Sequence, residues 1–313
     1  MLEVSTVIIN PNRNYTGMRK VFISVCSLVL VLTGRAQEKD LLAGLENSAG
    51  GREWVTGAFK STRVINSQSL EMLGKGALDV RILHRFGLIS SGGKQFFGLD
   101  QASMRLGADY GISKNWMAGI GRSTFRKELD IFVKTRLIQQ STGTHGSPVS
   151  VLLVAGGMVK TEQYFSNPKP GFSDRSSAYL QLIAGRKFNT RCSIQLSSIL
   201  LYSGTPVNIQ GDQWLAAVGA GARFKVSKRV ALTLDYHYPL ADLDSVNTQP
   251  LSVGVDIETG GHVFQLHFSN AAGMNERAFL AETTGAFFKG DIRFGFNLSR
   301  IFQLGKRGAS KSY

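Results

Sequence analysis

The stretch Ser103-Met104-Arg105-Leu106-Gly107-Ala108-Asp109-Tyr110-Gly111-Ile112 alternates residue by residue between two kinds of side chain. Met104, Leu106, Ala108, Tyr110 and Ile112 form one register; Ser103, Arg105, Gly107, Asp109 and Gly111 form the other. Successive side chains of a strand face opposite sides, so this segment has one apolar face and one that is small or charged. The same period of two recurs about a dozen times along the chain.

Strands are expected near 77–86, 102–112, 115–124, 129–139, 148–158, 177–188, 192–201, 213–225, 229–238, 250–258, 262–270 and 290–302. Tight turns at Ser113-Lys114-Asn115, Asn189-Thr190-Arg191, Val226-Ser227-Lys228 and Thr259-Gly260-Gly261 each join an even-placed strand to the next odd one. The other connections are mostly longer. Outer-membrane barrels keep short turns on the periplasmic side and long loops outside. The fold expected is therefore an all-β, up-and-down antiparallel transmembrane barrel of twelve strands, with fourteen as the alternative. Residues 53–65 also look strand-like, and counting them once would break the even parity. They are placed as an inward-tucked or periplasmic segment, or as half of an extra hairpin.

An entry signal precedes this pattern. Met18-Arg19-Lys20, the apolar run Val21–Leu32 and Gly34-Arg35-Ala36 have the three parts of a secretory signal peptide, with cleavage expected after Ala36. The run is shorter than the roughly 20 residues a membrane-spanning helix needs. Residues 1–17 lack signal character, which makes Met18 the better start. Cys26 lies inside the run rather than ending it, so it is read as cleaved off; Cys192 then stands alone and no internal disulfide is expected. The organisation expected is an extension and signal over 1–36, a periplasmic or lumen-inserted segment over 37–76, the barrel over 77–304 and a basic tail over 305–313.

Cleavage removes four basic residues and one acid, taking the formal net charge from +14 to +11. Those charges are dispersed, and no nucleic-acid-binding signature accompanies them, so anionic lipid of the outer membrane is the partner they fit. A soluble barrel would bury the apolar register instead. The signal, the strand number and aromatic residues near strand ends (Trp116, Trp214, Tyr236, Tyr238 and Phe302) favour the membrane.

The register facing the lumen then carries Asp79, Arg81, Arg85, Arg105, Asp109, Asp130, Lys134, Arg136, Arg223, Asp235, Asp256, Glu258, Asp291 and Arg293, seven acids and seven bases. A selective pore shows an excess of one sign. A balanced set suggests cross-strand ion pairs that brace a narrow interior, for example Asp79/Arg81 with Asp291/Arg293 across the closing seam. His237 and His267 face the same interior. With Asp235, Asp256 and Ser252 they offer the residue types of a hydrolase triad, but no nucleophile elbow or oxyanion donor accompanies them. No metal-ligand spacing or phosphate loop is present, so no catalytic residue, metal or cofactor is expected.

The segments Phe59–Asn66, Phe97–Ala102, Asp256–Asn270 and Gly290–Asn297, with Gly260-Gly261-His262-Val263-Phe264-Gln265-Leu266-His267-Phe268 the most distinctive, resemble the Bacteroidetes-type outer-membrane β-barrel family DUF5777, a domain of unknown function. The resemblance spans about 53–304. It implies an outer-membrane barrel and transfers no ligand or catalytic residue. The leading function is passive or facilitated passage of a small solute. The alternatives are a non-transporting accessory barrel with a periplasmic or surface partner, and an outer-membrane lipid-modifying enzyme.

Overall fold

The computed structural model describes residues 52–143, 145–207, 211–240, 247–259 and 262–304. The expected extension, signal peptide and tail lie outside the described residues.

Twelve wall strands form one closed sheet. They are β1 Ala77–Leu88, β2 Ala102–Gly111, β3 Trp116–Ser123, β4 Glu128–Ile138, β5 Ser150–Lys160 and β6 Ser176–Lys187. The circuit continues with β7 Cys192–Ser203, β8 Trp214–Lys225, β9 Val230–Pro239, β10 Leu251–Thr259, β11 His262–Ser269 and β12 Arg293–Gln303. Every strand pairs antiparallel with its neighbours in sequence, and β12 closes on β1 with Leu298 opposite Ile82. Each expected strand is present, with ends shifted by three residues at most. Residues Glu53–Trp54 add no wall strand; they pair with Ser141–Thr142 in a separate two-stranded ribbon.

The period-two pattern decides which face is which. Leu106 is 48% exposed while adjacent Arg105 is fully buried, and Leu232 is 49% exposed beside Thr233 at 5%. The apolar register thus covers the outside of the cylinder, where lipid replaces water, and the polar register points in. Closure removes the unpaired edges that an open sheet would leave in hydrocarbon.

One sector departs from the expected polar interior. On β5–β8 the inward residues Leu152, Val154, Ile183, Ile199, Leu201, Leu215 and Ala217 are apolar and buried. They face apolar side chains of the chain's own inserted segments, Phe59, Leu70 and Leu73 before β1 and Phe279 and Leu280 between β11 and β12, in one core cluster. A barrel this wide is not filled by its wall side chains alone. Here backbone fills it.

Candidate functional site

Two segments occupy the interior. Residues 62–70 are all buried, folded back on themselves through Val64 N–H to Ser67 O at 2.9 Å and Ser69 N–H to Thr62 O at 2.9 Å. Between β11 and β12, residues 273–281 are likewise buried and include the short helix Glu276–Ala281. Asn275 caps that helix by accepting from Ala278 N–H at 2.9 Å.

Asp235 on β9 is the main anchor of the first segment. Its Oδ2 accepts from the backbone N–H groups of Ile65 (3.3 Å), Asn66 (2.8 Å) and Ser67 (3.0 Å), and its Oδ1 accepts from the Ser67 hydroxyl (2.8 Å). A single carboxylate thereby satisfies a buried turn. Around the same turn Arg85 donates to Asn66 Oδ1 (2.9 Å), to the Ala271 carbonyl (2.7 Å) and to His267 Nε2 (2.9 Å). Asn297 donates to Ile65 O (3.1 Å) and Gln265 to Val64 O (2.5 Å). Gln195 accepts from Leu70 N–H (3.0 Å) and donates to Gln68 O (2.8 Å). Lys134 donates to Thr62 O (3.2 Å), and Asp109 accepts from the Thr62 hydroxyl (2.9 Å). The two inserted segments are joined by the Arg63–Glu276 ion pair at 3.1 Å, both side chains 2% exposed.

The other expected residues fall into smaller groups. Arg105 reaches over β3 to Asp130 on β4, with Nε 2.9 Å from Oδ1. The bridge needs Gly121 beneath it, because a Cβ there would lie 2.2 Å from Arg105 Nη2. Asp79 accepts from Arg81 Nε (2.8 Å) and from the Ser299 hydroxyl across the seam (2.6 Å), while Arg81 also lies 3.6 Å from Asp109. Asp256 accepts from Gln265 (2.6 Å), Glu258 pairs with Lys60 (2.9 Å), and Arg136 donates to Gln139 (3.1 Å). Arg223 is buried, its Nε without a hydrogen-bond partner.

The expected pairing of Asp79/Arg81 with Asp291/Arg293 does not occur. Antiparallel closure sets Arg293 opposite Leu88 and Asp79 opposite Ile301, at the two ends of the seam. Asp291 instead accepts from Ala286 N–H at 3.0 Å.

Of the hydrolase-like residue types, Asp235 and His237 do come together, with Oδ1 3.5 Å from Nδ1, but among the described residues no Ser252–histidine hydrogen bond completes a triad. Ser252 donates to Ser269 Oγ (2.7 Å) and accepts from Asn66 (3.1 Å), Arg85 occupies His267 Nε2, and His237 packs on Phe279 with ring centroids 5.0 Å apart. Among the described residues no group of His, Cys, Asp and Glu is arranged to hold a metal ion.

Sequence reading missed Glu128, which accepts from Asn275 (2.5 Å) and Arg277, and the cluster of Arg277, Lys160, Arg126 and Glu282. Burial alone would raise the Glu282 carboxyl. Arg277, Lys160 and Arg126 outweigh it and bring Glu282 down to about 2. In turn, Glu282 raises the Arg126 guanidinium.

A family model described as a membrane-bound β-barrel domain, DUF5777, matches residues 59–302. The chain belongs to that family. The DUF5777 span includes the inserted hairpin, and the fold is that of an outer-membrane β-barrel. No curated protein matches the chain. Similar solved structures include the NanC porin (8% identity, TM-score 0.47, covering 72% of this chain and 99% of that one) and the KdgM porin (8%, 0.42, 72% and 99%). The Acinetobacter baumannii outer-membrane protein Omp33 is another (9%, 0.38, 73% and 99%).

Proposed function

We propose that this DUF5777 barrel is a passage for a small polar solute, closed at rest by its own chain. The observation that carries this reading is that the hairpin 62–70 is held to the wall largely through hydrogen bonds to side chains of Asp235, Arg85, Asn297, Gln265, Gln195, Lys134 and Asp109. Water can replace such bonds at a net cost of about 1 kcal/mol each, whereas the wall ladder is shielded by lipid. Displacing the hairpin would leave both signs of charge along the path, so weak ion selectivity is expected. A specific observation favours the second reading, a permanently closed accessory barrel with a protein partner. Phe59, Leu70 and Leu73 pack on the apolar β5–β8 sector, and that contact resists water.

Planar-bilayer recording separates the two. The full chain should show little or no conductance, and deletion of residues 37–65 should open a steady one. Heat-shifted mobility on gels checks that the deleted form is folded. A folded deletion that stays silent would sink the passage reading, and a large current from the full chain would show that the closure is not real.

A further inference from the structure

At the short-turn end of the wall lies an open cavity of about 300 Å³. Three cations line it: Arg52 ahead of the ribbon, Lys114 in the β2–β3 turn, and Arg136 near the end of β4. The Trp54 indole lies among them, with the Arg52 guanidinium 4.3 Å and the Lys114 ammonium 4.6 Å from its ring centroid. Pairing of Trp54 with Ser141, together with Val55 N–H to Gln140 O at 2.9 Å, fixes the backbone that carries the indole. No carboxylate lines the cavity. Arg52 donates to the Ser141 hydroxyl and Arg136 to the Gln139 side-chain oxygen, while Glu71, which shares a second cavity with Arg136, does not line this one.

Two cations against one ring repel each other, and an anion between them would relieve that cost. The rest of the lining is the amides Asn115 and Gln139 and the aliphatic Leu137 and Ile138. A bulge between Arg136 and Ile138 in the β4–β5 pairing leaves Leu137 and Ile138 both exposed, at 56% and 44%. Cations beside an indole, bordered by exposed aliphatic side chains at a strand end, match the layering of a membrane interface.

We infer that this cavity binds the phosphate of an anionic lipid headgroup, with acyl chains running along Leu137 and Ile138. The barrel thereby holds one lipid at a defined point on its rim. The inference is independent of whether the lumen opens.

The test uses the full chain carrying Trp116→Phe and Trp214→Phe, so that Trp54 is its only tryptophan. It is reconstituted in phosphatidylcholine vesicles containing brominated phosphatidylglycerol or brominated phosphatidylcholine at equal mole fraction. Brominated phosphatidylglycerol should quench Trp54 more strongly. The excess should fall roughly fivefold in relative association for each cation removed, in Lys114→Gln and then in Lys114→Gln with Arg52→Gln. Native mass spectrometry of the unsubstituted chain, counting retained phosphatidylglycerol, reads the same site without the tryptophan background. Inorganic phosphate titrated into pure phosphatidylcholine vesicles is the third arm. If phosphate shifts Trp54 emission while the two brominated lipids quench alike, the cavity takes free phosphate and the lipid assignment is overturned. Equal quenching, no retained lipid and no response to phosphate would overturn the site altogether.

Discussion

Asp235 shows how much one inward side chain can organise. Three backbone N–H groups converge on its Oδ2, and none has another acceptor of comparable geometry. Asp235→Ala leaves buried donors unpaired, each at a cost of about 1–3 kcal/mol before water enters. The expected result is faster hydrogen exchange at the Asn66 and Ser67 amides with unchanged protection in β9. Equal loss in both would show that the carboxylate supports the wall rather than the hairpin. On the other face the cost has a different origin. Leu232→Arg puts a charge against hydrocarbon near mid-membrane and should cost about 2–4 kcal/mol, seen as reduced heat-shifted assembly, whereas Leu232→Ile should cost less than about 1.5 kcal/mol. Thr233 is no neutral control for charge, since it is buried against a filled interior.

The inserted elements depend on close approach and on charge clustering. The N-terminal segment passes so near β2 that a Cβ on Gly111 would lie 2.0 Å from Gly74 O. Backbone cannot yield as a side-chain tip can. Gly111→Ala should therefore lift the segment from the wall and raise bilayer conductance while leaving the strand content seen by circular dichroism unchanged. A silent, fully folded Gly111→Ala barrel would count against this close contact. The second insert is tied at its helix end by Glu282. Because its carboxyl is held below its ordinary value of 4.5, the stabilisation is fully present above that pH and fades as pH falls through about 2. Closure by this segment should accordingly be insensitive to pH between about 5 and 8. A conductance that opens near pH 6 in the wild type, and no longer does so in Glu282→Gln, would contradict the sign.

For the whole molecule, the wall was legible, whereas its contents were open in the sequence: the segment before β1 could be periplasmic or lumen-inserted, and the insert between β11 and β12 left no sign. Alternation, turn lengths and parity are local properties of the chain, and a closed membrane barrel leaves few ways to satisfy them. They named all twelve strands and put Arg105 and Leu106 on opposite faces. The apolar interior sector also left a trace: Val151-Leu152-Leu153-Val154, Leu182-Ile183 and Ile199-Leu200-Leu201 are apolar in both registers, the mark of strands with apolar neighbours on each side. What lay on the inner side could not be read from period. The route of residues 58–73 depends on Asp235, Gln195 and Asn297, more than a hundred positions away, and on Glu276 reaching Arg63 from the far end of the chain. Hydrogen bonds between irregular backbone and distant side chains carry no repeat. The sequence by itself determined a cylinder with lipid outside and charge inside, because strand geometry converts composition directly into faces. Only the tertiary structure decided that the cylinder is closed, because the filling is chosen by contacts that exist nowhere until the wall has formed.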